Sequence, residues 1–189
     1  MISRNLESDL IEYCAPTLMG SKPASLFRHH AQSPEMLQRM AAGWSETLAP
    51  YSLALRILKT CPETGDCLVY LYRVRWLRRI LSDAAVKIFL EHMGYQVVQN
   101  PPGLLEQLSQ RLCMNQNFPH EIGVFLGYPL EDVEGFIQNG GRNYTCCGCW
   151  KSYGDPEKAK ALFASYRRCT ALCKEWYQNG YTITQLIAA

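Results

Sequence analysis

The fold is decided by two short apolar runs, SLALRILK at residues 52–59 and CLVYLYRV at residues 67–74. Apolar runs of this length are typical of strands, and the second run is also rich in Val and Tyr. The segment between them contains Pro62, Gly65 and Asp66, which favour a turn. The two runs are therefore predicted to form an antiparallel hairpin, and residues 25–28 are predicted to form another short strand.

Helical patterns occupy most of the rest of the chain. Apolar residues recur at helical spacing over residues 3–14, and Ser33 before Pro34 favours the start of a helix that runs to about Leu48. Residues 156–179 give the longest and clearest helical pattern, while residues 144–153 favour a strand. The predicted fold class is α+β, a small antiparallel sheet surrounded by about seven helices.

The composition is that of an ordinary folded domain. The chain has 189 residues, of which 48% are hydrophobic and 19% are charged. A chain of this length buries roughly 70% of its unfolded surface, so it can build a core without disulfides or metals. We expect a single domain over residues 1–189. The net charge of +2 is too small to indicate a nucleic-acid or membrane-surface partner.

The location expected for the protein is the cytoplasm. No stretch approaches the roughly 18 uncharged apolar residues that a membrane-spanning helix needs. The first residues carry Glu7, Asp9 and Glu12, where a signal peptide would have an apolar core. Because cytoplasmic thiols stay reduced, the nine cysteines are expected to serve in packing, metal binding or catalysis rather than in disulfides.

Three stretches of the chain resemble one uncharacterised bacterial family, a domain of unknown function. They are CAPTL with KPASLF between residues 14 and 27, PHEIG with FLGYP between residues 119 and 129, and CCG with WK between residues 146 and 151. The family is typical of anaerobic bacteria. The resemblance therefore implies an intracellular protein of anaerobic metabolism, with no activity to carry over. Cys149 and the arginines near Trp76 depart from the family pattern.

Four cysteines could form a metal site. On a strand over residues 144–153, Cys147 and Cys149 would share one face. Cys169 and Cys173 are four residues apart on the long helix and share its apolar face. Two thiols from each element would make a tetrahedral site for zinc or hold an iron–sulfur cluster. The single residue between Cys147 and Cys149 is unusual for zinc, and packing in the core or a reactive thiol are the alternatives.

A second thiol, Cys14, lies near Lys22 in the first family motif. The cation would favour its thiolate, which makes the two residues candidates for binding a cofactor. The alternative is that Cys14 packs in the core beside Leu10 and Ile11 on the same helical stripe.

His120 and Glu121 stand at the predicted start of a helix, inside the second family motif. A neutral imidazole beside a carboxylate suits general base catalysis or metal binding, and the favoured alternative is a structural histidine that is hydrogen-bonded for packing. Together with Cys147, Tyr144 and Lys151 they make up the predicted catalytic group. In this scheme a thiolate or metal carries the chemistry, His120 moves protons and a lysine holds an anion.

Two segments resemble nucleic-acid-binding motifs, and we interpret both as structural. Residues 121–137 have the rhythm of a helix-turn-helix, but the second helix is acidic and has no basic residue, which opposes contact with phosphates. The arginines at positions 75, 78 and 79 are predicted to form the solvated face of a helix whose buried face holds Trp76 and Leu77.

Two functions from different classes follow from these patterns. The first is a small enzyme or binding protein whose thiol and histidine site takes a metal, an anion or a cofactor. The alternative is a protein-interaction module without chemistry, which the aromatic content of 11% would suit. Partners are expected to be a small molecule or another protein, with no nucleic acid and no membrane.

Overall fold

The computed structural model describes residues 5–31, 33–96, 101–114 and 117–188. The described part of the chain contains nine α-helices and five short strands, which confirms the α+β class. The helices are α1 Leu6–Leu18, α2 Pro34–Leu48, α3 Val74–Ser82, α4 Ala84–His92, α5 Pro101–Met114, α6 Ile122–Phe125, α7 Leu130–Gln138, α8 Pro156–Gln178 and α9 Ile183–Ala188. The strands are β1 Ala24–His30, β2 Leu53–Thr60, β3 Asp66–Arg73, β4 Cys146–Cys147 and β5 Lys151–Ser152.

The described residues fall into two compact units. The first unit consists of the chain up to Trp76 together with the chain from Arg168 onward, and the second unit runs from Leu77 to Arg167. The expectation of a single domain stays a prediction.

The first unit is built on the predicted hairpin. Strand β3 lies at the centre of an antiparallel sheet of order β1-β3-β2, with Phe27 opposite Val69 and Leu55 opposite Leu71. Val69 and Leu71 are completely buried because helices α1 and α2 pack on this sheet and α9 packs on α1. The sheet and these helices share one apolar core.

Helix α1 is longer than the sequence predicts. The predicted helix ends at Cys14, whereas α1 continues through Pro16 to Leu18. The guanidinium of Arg73 donates hydrogen bonds to the carbonyl oxygens of Thr17, at 2.8 Å, and Leu18, at 2.6 Å. These bonds satisfy carbonyl groups that a helix end leaves without partners, so a distant arginine stabilises the last turn.

One further expectation was wrong, and one helix was not predicted. Trp76, predicted to be buried, is 41% exposed, while Arg75, Arg78 and Arg79 are exposed as predicted. The Trp76 ring lies 5.8 Å from the guanidinium carbon of Arg73, a cation–π contact that supports it at the surface. Helix α9 was not predicted, because six residues are too short to show a clear period.

The segment predicted as one strand over residues 144–153 is instead a small hairpin. Strands β4 and β5 have two residues each and pair antiparallel, with Cys146 opposite Ser152 and Cys147 opposite Lys151. The chain reverses between them, and the backbone N–H of Gly148 donates to the Trp150 carbonyl oxygen. Alternation of side chains along one strand therefore does not apply to the cysteines of this segment. No helix in the described residues is both long and apolar enough to cross a membrane.

Replacing Leu71 by alanine tests whether β3 anchors the first unit. Leu71 is completely buried at the centre of the sheet, so Leu71→Ala is expected to lower the free energy of unfolding by about 2–5 kcal/mol in denaturant titrations. The matched control is Leu172→Ala, because Leu172 is 39% exposed and should lose less than about 1 kcal/mol. Equal losses for the two variants would contradict this account of the core.

Candidate functional site

The second unit contains a cleft of about 390 Å³. That volume lies within the range of roughly 300–1,000 Å³ found for small-molecule sites. The walls come from α6, α7, the hairpin of β4 and β5, and the segment before α6. Most lining side chains are apolar or aromatic: Phe118, Ile122, Leu126, Tyr128, Val133, Phe136 and Trp150.

A tight turn between α6 and α7 shapes one wall of the cleft. Gly127 has a φ of 75°, the left-handed conformation that glycine adopts without strain. Pro129 then stands before the first residue of α7. The backbone N–H of Tyr128 donates to the carbonyl oxygen of Gly123 at 2.9 Å. The sequence Gly-Tyr-Pro therefore reverses the chain within three residues and directs the Tyr128 ring toward the cleft.

Asp132, on α7, fixes the opposite wall. Its carboxylate is buried and accepts hydrogen bonds from the Trp150 indole N–H at 2.7 Å and the Ser152 hydroxyl at 3.0 Å. It also accepts the backbone N–H groups of Tyr153, at 2.6 Å, and Gly154, at 3.1 Å. Four donors compensate for the loss of hydration of the buried charge. The carboxylate thereby ties the β4–β5 hairpin to α7.

Trp150 is held by rings on two sides. It stacks on Tyr128 with ring centroids 4.5 Å apart and meets Phe163 edge-on at 4.6 Å. Phe163 also lies directly against the α-carbon of Gly148, where any side chain would collide with the ring. An aromatic ring fixed by a hydrogen bond and two ring contacts is a preorganised surface for a flat ligand.

The phenols beside Trp150 are neutral donors near pH 7. Burial raises the pKa of Tyr128 to about 12, with smaller contributions from Cys149 and Tyr166. Burial also raises the pKa of Tyr166 to about 12, and Cys149 adds to the effect. Neither phenol therefore adds negative charge to this part of the unit at physiological pH.

Three predicted site residues, His120, Cys147 and Lys151, line the same cleft. The Lys151 ammonium donates to the carbonyl oxygen of Gly141 at 2.7 Å, which leaves two of its three N–H groups for other acceptors. It also lies 5.8 Å from the centroid of Phe136. The His120 ring packs against Phe136 at 4.8 Å, and the Cys147 thiol is exposed. The cleft thus combines an aromatic lining with a cation, an imidazole and a thiol.

The other two members of the predicted catalytic group lie outside the described lining of the cleft. Glu121 is buried and accepts hydrogen bonds from the Tyr95 hydroxyl at 3.1 Å and from Arg111 at 3.4 Å. These contacts give Glu121 a structural setting. Tyr144 is 45% exposed, and its ring lies 5.1 Å from the Lys151 ammonium. Tyr144 therefore contacts the polar end of the site through Lys151.

The predicted sulfur site for zinc or an iron–sulfur cluster is not formed. Within the described ranges, no three side chains of His, Cys, Asp or Glu lie close enough together to hold a metal ion. Cys147 and Cys149 are exposed in the second unit, whereas Cys173 is completely buried in the apolar core of the first. Burial raises the pKa of Cys173 to about 11, so it remains a thiol at neutral pH. Cys169 is partly buried, and burial raises its pKa as well.

The first unit contains the proposed cofactor-binding residues Cys14 and Lys22. Cys14 is completely buried in the core cluster, and burial raises the pKa of its thiol well above the ordinary value. The nearby Lys22 charge acts in the opposite direction but is the smaller influence. Cys14 therefore has the surroundings of a core side chain, and its role with Lys22 in binding a cofactor stays a prediction.

Sequence reasoning missed the aromatic lining and its anchor. Tyr128 and Trp150 fall in family motifs, but no local pattern shows that their rings stack across about twenty residues of sequence. In the sequence, Asp132 is one of the acidic residues of the second helix in the 121–137 pattern, and no local signal marks it as buried. Sequence reasoning also missed Cys61, in the turn between β2 and β3, whose pKa is lowered by hydrogen bonds from the Thr64 hydroxyl and from the backbone at Thr64 and Glu63.

Replacing Asp132 by asparagine tests whether this carboxylate holds the β4–β5 hairpin against α7. The amide keeps the shape but loses the charge and turns one acceptor into a donor that faces other donors. Asp132→Asn is therefore expected to lower the free energy of unfolding by about 2–4 kcal/mol and to change the near-ultraviolet circular dichroism of the aromatic rings. Glu134→Gln, on the same helix, is the control and should leave both nearly unchanged. An Asp132→Asn variant whose free energy of unfolding and near-ultraviolet circular dichroism are unchanged would contradict the role given to the carboxylate.

Comparison with known proteins places the chain in a family. No curated protein and no solved structure shows a significant match. A family model described as a protein of unknown function, DUF3793, matches residues 10–187, which is nearly the whole chain. This agrees with the resemblance seen in the sequence motifs. The chain is therefore a member of the DUF3793 family of proteins of unknown function.

Proposed function

We propose that the protein binds a small planar organic anion in the aromatic cleft of its second unit. The observation that carries this proposal is the composition of the cleft, in which an ordered aromatic surface meets one cation, one imidazole and one thiol within about 390 Å³. Ligand pockets generally combine an apolar lining with a few placed polar groups. Of the ligands considered from the sequence, an anion or organic cofactor is supported here, and a metal is not.

The aromatic surface selects a flat ligand. The rings of Tyr128, Trp150 and Phe136 all line the cleft, and Tyr128 and Trp150 hold each other by stacking. A planar ring gains area burial and ring contact there with little loss of conformational freedom. Since Asp132 fixes Trp150, the surface exists before the ligand arrives, which lowers the cost of binding.

The cation selects a negative charge on that ligand. Lys151 lies at the edge of the apolar lining, where water is partly excluded and an ionic hydrogen bond is stronger than in bulk solvent. The only acidic side chain in the described lining, Asp132, already accepts four hydrogen bonds. A carboxylate or phosphate on the ligand would therefore meet Lys151 as its ionic partner.

His120 and Cys147 add the capacity for chemistry on the bound ligand. Cys147 lies opposite Lys151 in the β4–β5 register, and His120 is exposed and lines the same cleft. In the catalytic form of the proposal, Cys147 is a nucleophile, His120 a proton carrier and Lys151 the anion holder, with Glu121 and Tyr144 in supporting positions. The expected setting is the cytoplasm of an anaerobe, where a free thiol persists.

Binding of a simple planar anion tests the proposal. We expect 2-naphthoate to bind and quench tryptophan fluorescence, and the neutral 2-naphthol to bind more weakly. Lys151→Gln should weaken 2-naphthoate binding about tenfold, because it removes one charged hydrogen bond, and leave 2-naphthol unaffected. Lys87→Gln is the control, since Lys87 is an exposed lysine of α4. Equal affinity of wild type and Lys151→Gln for 2-naphthoate would refute the assignment of Lys151.

Alkylation gives a separate test of where the ligand lies. Cys147 and Cys113 are both exposed thiols of the second unit, but only Cys147 lines the cleft. Saturating 2-naphthoate is expected to slow iodoacetamide modification of Cys147 at least several-fold and to leave Cys113 unchanged, as followed by peptide mass spectrometry. Protection of both thiols, or of neither, would place the ligand elsewhere.

A further inference from the structure

A second cleft, of about 230 Å³, lies in the first unit and is independent of the aromatic cleft. Its lining consists of five ionisable residues from α1, β1 and β3: Asp9, Arg28, His29, His30 and Asp66. Strand β1 is an edge strand, since it pairs only with β3 in the described sheet. The cleft includes the end of the β1–β3 pair, where His30 lies opposite Asp66, and α1 contributes Asp9.

The centre of this cleft is a buried carboxylate–histidine pair. The His29 Nδ1 and the Asp9 Oδ2 are 2.7 Å apart, and the two side chains are only 8% and 3% exposed. Because an ionised carboxylate can only accept, the proton between them belongs to His29 Nδ1. The backbone of His29 is fixed as well, since its carbonyl oxygen accepts a hydrogen bond from the Cys67 thiol at 3.2 Å. The contact with Asp9 and this backbone bond therefore fix the orientation of the ring.

The other ring nitrogen of His29 is left for a ligand. Every fully buried side-chain nitrogen and oxygen in the described residues has a hydrogen-bond partner, and the described bond of the His29 ring uses only Nδ1. The Nε2 atom is therefore not fully buried, and His29 lines the cleft. In a neutral ring that donates from Nδ1, Nε2 has a lone pair and can accept a hydrogen bond.

A cation stands at the mouth of the same cleft. The Arg28 guanidinium is 74% exposed and lies 3.7 Å from Asp66 Oδ2, while His30 Nδ1 lies 3.4 Å from Asp66 Oδ1. These are long, solvent-exposed ion pairs, which are weak and easily exchanged for a ligand. Arginine offers a planar fork of N–H groups that matches the oxygens of phosphate. Asp66 opposes an anion at this position and so limits its affinity.

The geometry points to a site for inorganic hydrogen phosphate. The ligand must offer an O–H to His29 Nε2 and a negative oxygen to Arg28 at the same time. Phosphate at neutral pH has both, because it keeps one proton. Sulfate has the same tetrahedral shape but no proton, and carboxylates likewise carry none. A site that requires the O–H discriminates against the analogue that lacks it.

The test is a titration of the full chain with sodium phosphate and, separately, sodium sulfate, monitored by NMR of the histidine rings. At about pH 8 inorganic phosphate retains one proton, whereas sulfate carries none. We expect saturable shifts of the His29 ring with phosphate, with a dissociation constant on the order of 1 mM, and at least tenfold weaker binding of sulfate. Equal binding of the two anions would overturn the assignment of Nε2. The absence of a saturable shift would overturn the site itself.

Two arginine variants distinguish binding at this site from non-specific attraction of anions to positive charge. Arg28→Gln is expected to weaken phosphate binding about tenfold without affecting the fold, because the side chain is mostly exposed. The control is Arg39→Gln, an exposed arginine of α2, which packs on β2 at the other edge of the sheet. His29→Gln should abolish the preference for phosphate over sulfate. If this change of a buried residue unfolds the chain, Arg28→Gln still tests the site. Equal effects of the two arginine changes would overturn the proposal. Phenyl phosphate loses its second proton at about pH 6 and therefore carries none at the pH of the titration, so it is expected to bind no more tightly than sulfate.

Discussion

The buried carboxylate of Asp132 is the constraint on which the geometry of the second unit depends. A charge with 3% exposure requires donors, and Asp132 finds them in the Trp150 indole, the Ser152 hydroxyl and two backbone N–H groups. These donors all belong to the β4–β5 hairpin and the residues that follow it. The hairpin has only two residues per strand and could not hold a fixed position by its own pairing. Its attachment to α7 is therefore electrostatic as much as apolar.

The consequence of this attachment is a rigid aromatic surface beside reactive side chains. Trp150 is held by its indole N–H and by two neighbouring rings, so it is ordered without a ligand. Lys151 and Cys147, on the same hairpin, are positioned with it. One interaction thus orders both the recognition surface and the polar end of the cleft. The buried pair of Asp9 and His29 repeats this arrangement in the first unit, where a carboxylate again fixes the ring that faces a cleft.

Local sequence patterns predicted the helices and strands better than the contacts between them. The hairpin of β2 and β3, the cap at Ser33 and the long helix α8 follow from local patterns, and the structure confirms them. His120, Cys147 and Lys151 were singled out from motifs, and they do line one cleft. The predicted metal site was wrong because the prediction placed Cys147 and Cys149 on one straight strand, whereas the chain turns back after Cys147. The Asp132 network joins residues about twenty positions apart, and such long-range contacts leave no periodic signal in the sequence.

The most direct measurement of the central claim is a set of intermolecular nuclear Overhauser effects between the bound naphthoate and the protein. The account predicts contacts from the naphthalene ring to the side chains of Trp150 and Phe136, and these contacts should vanish in Asp132→Asn while Glu134→Gln retains them. Contacts confined to other residues, or contacts to Trp150 that survive the loss of the Asp132 charge, would contradict the claim that this carboxylate builds the site.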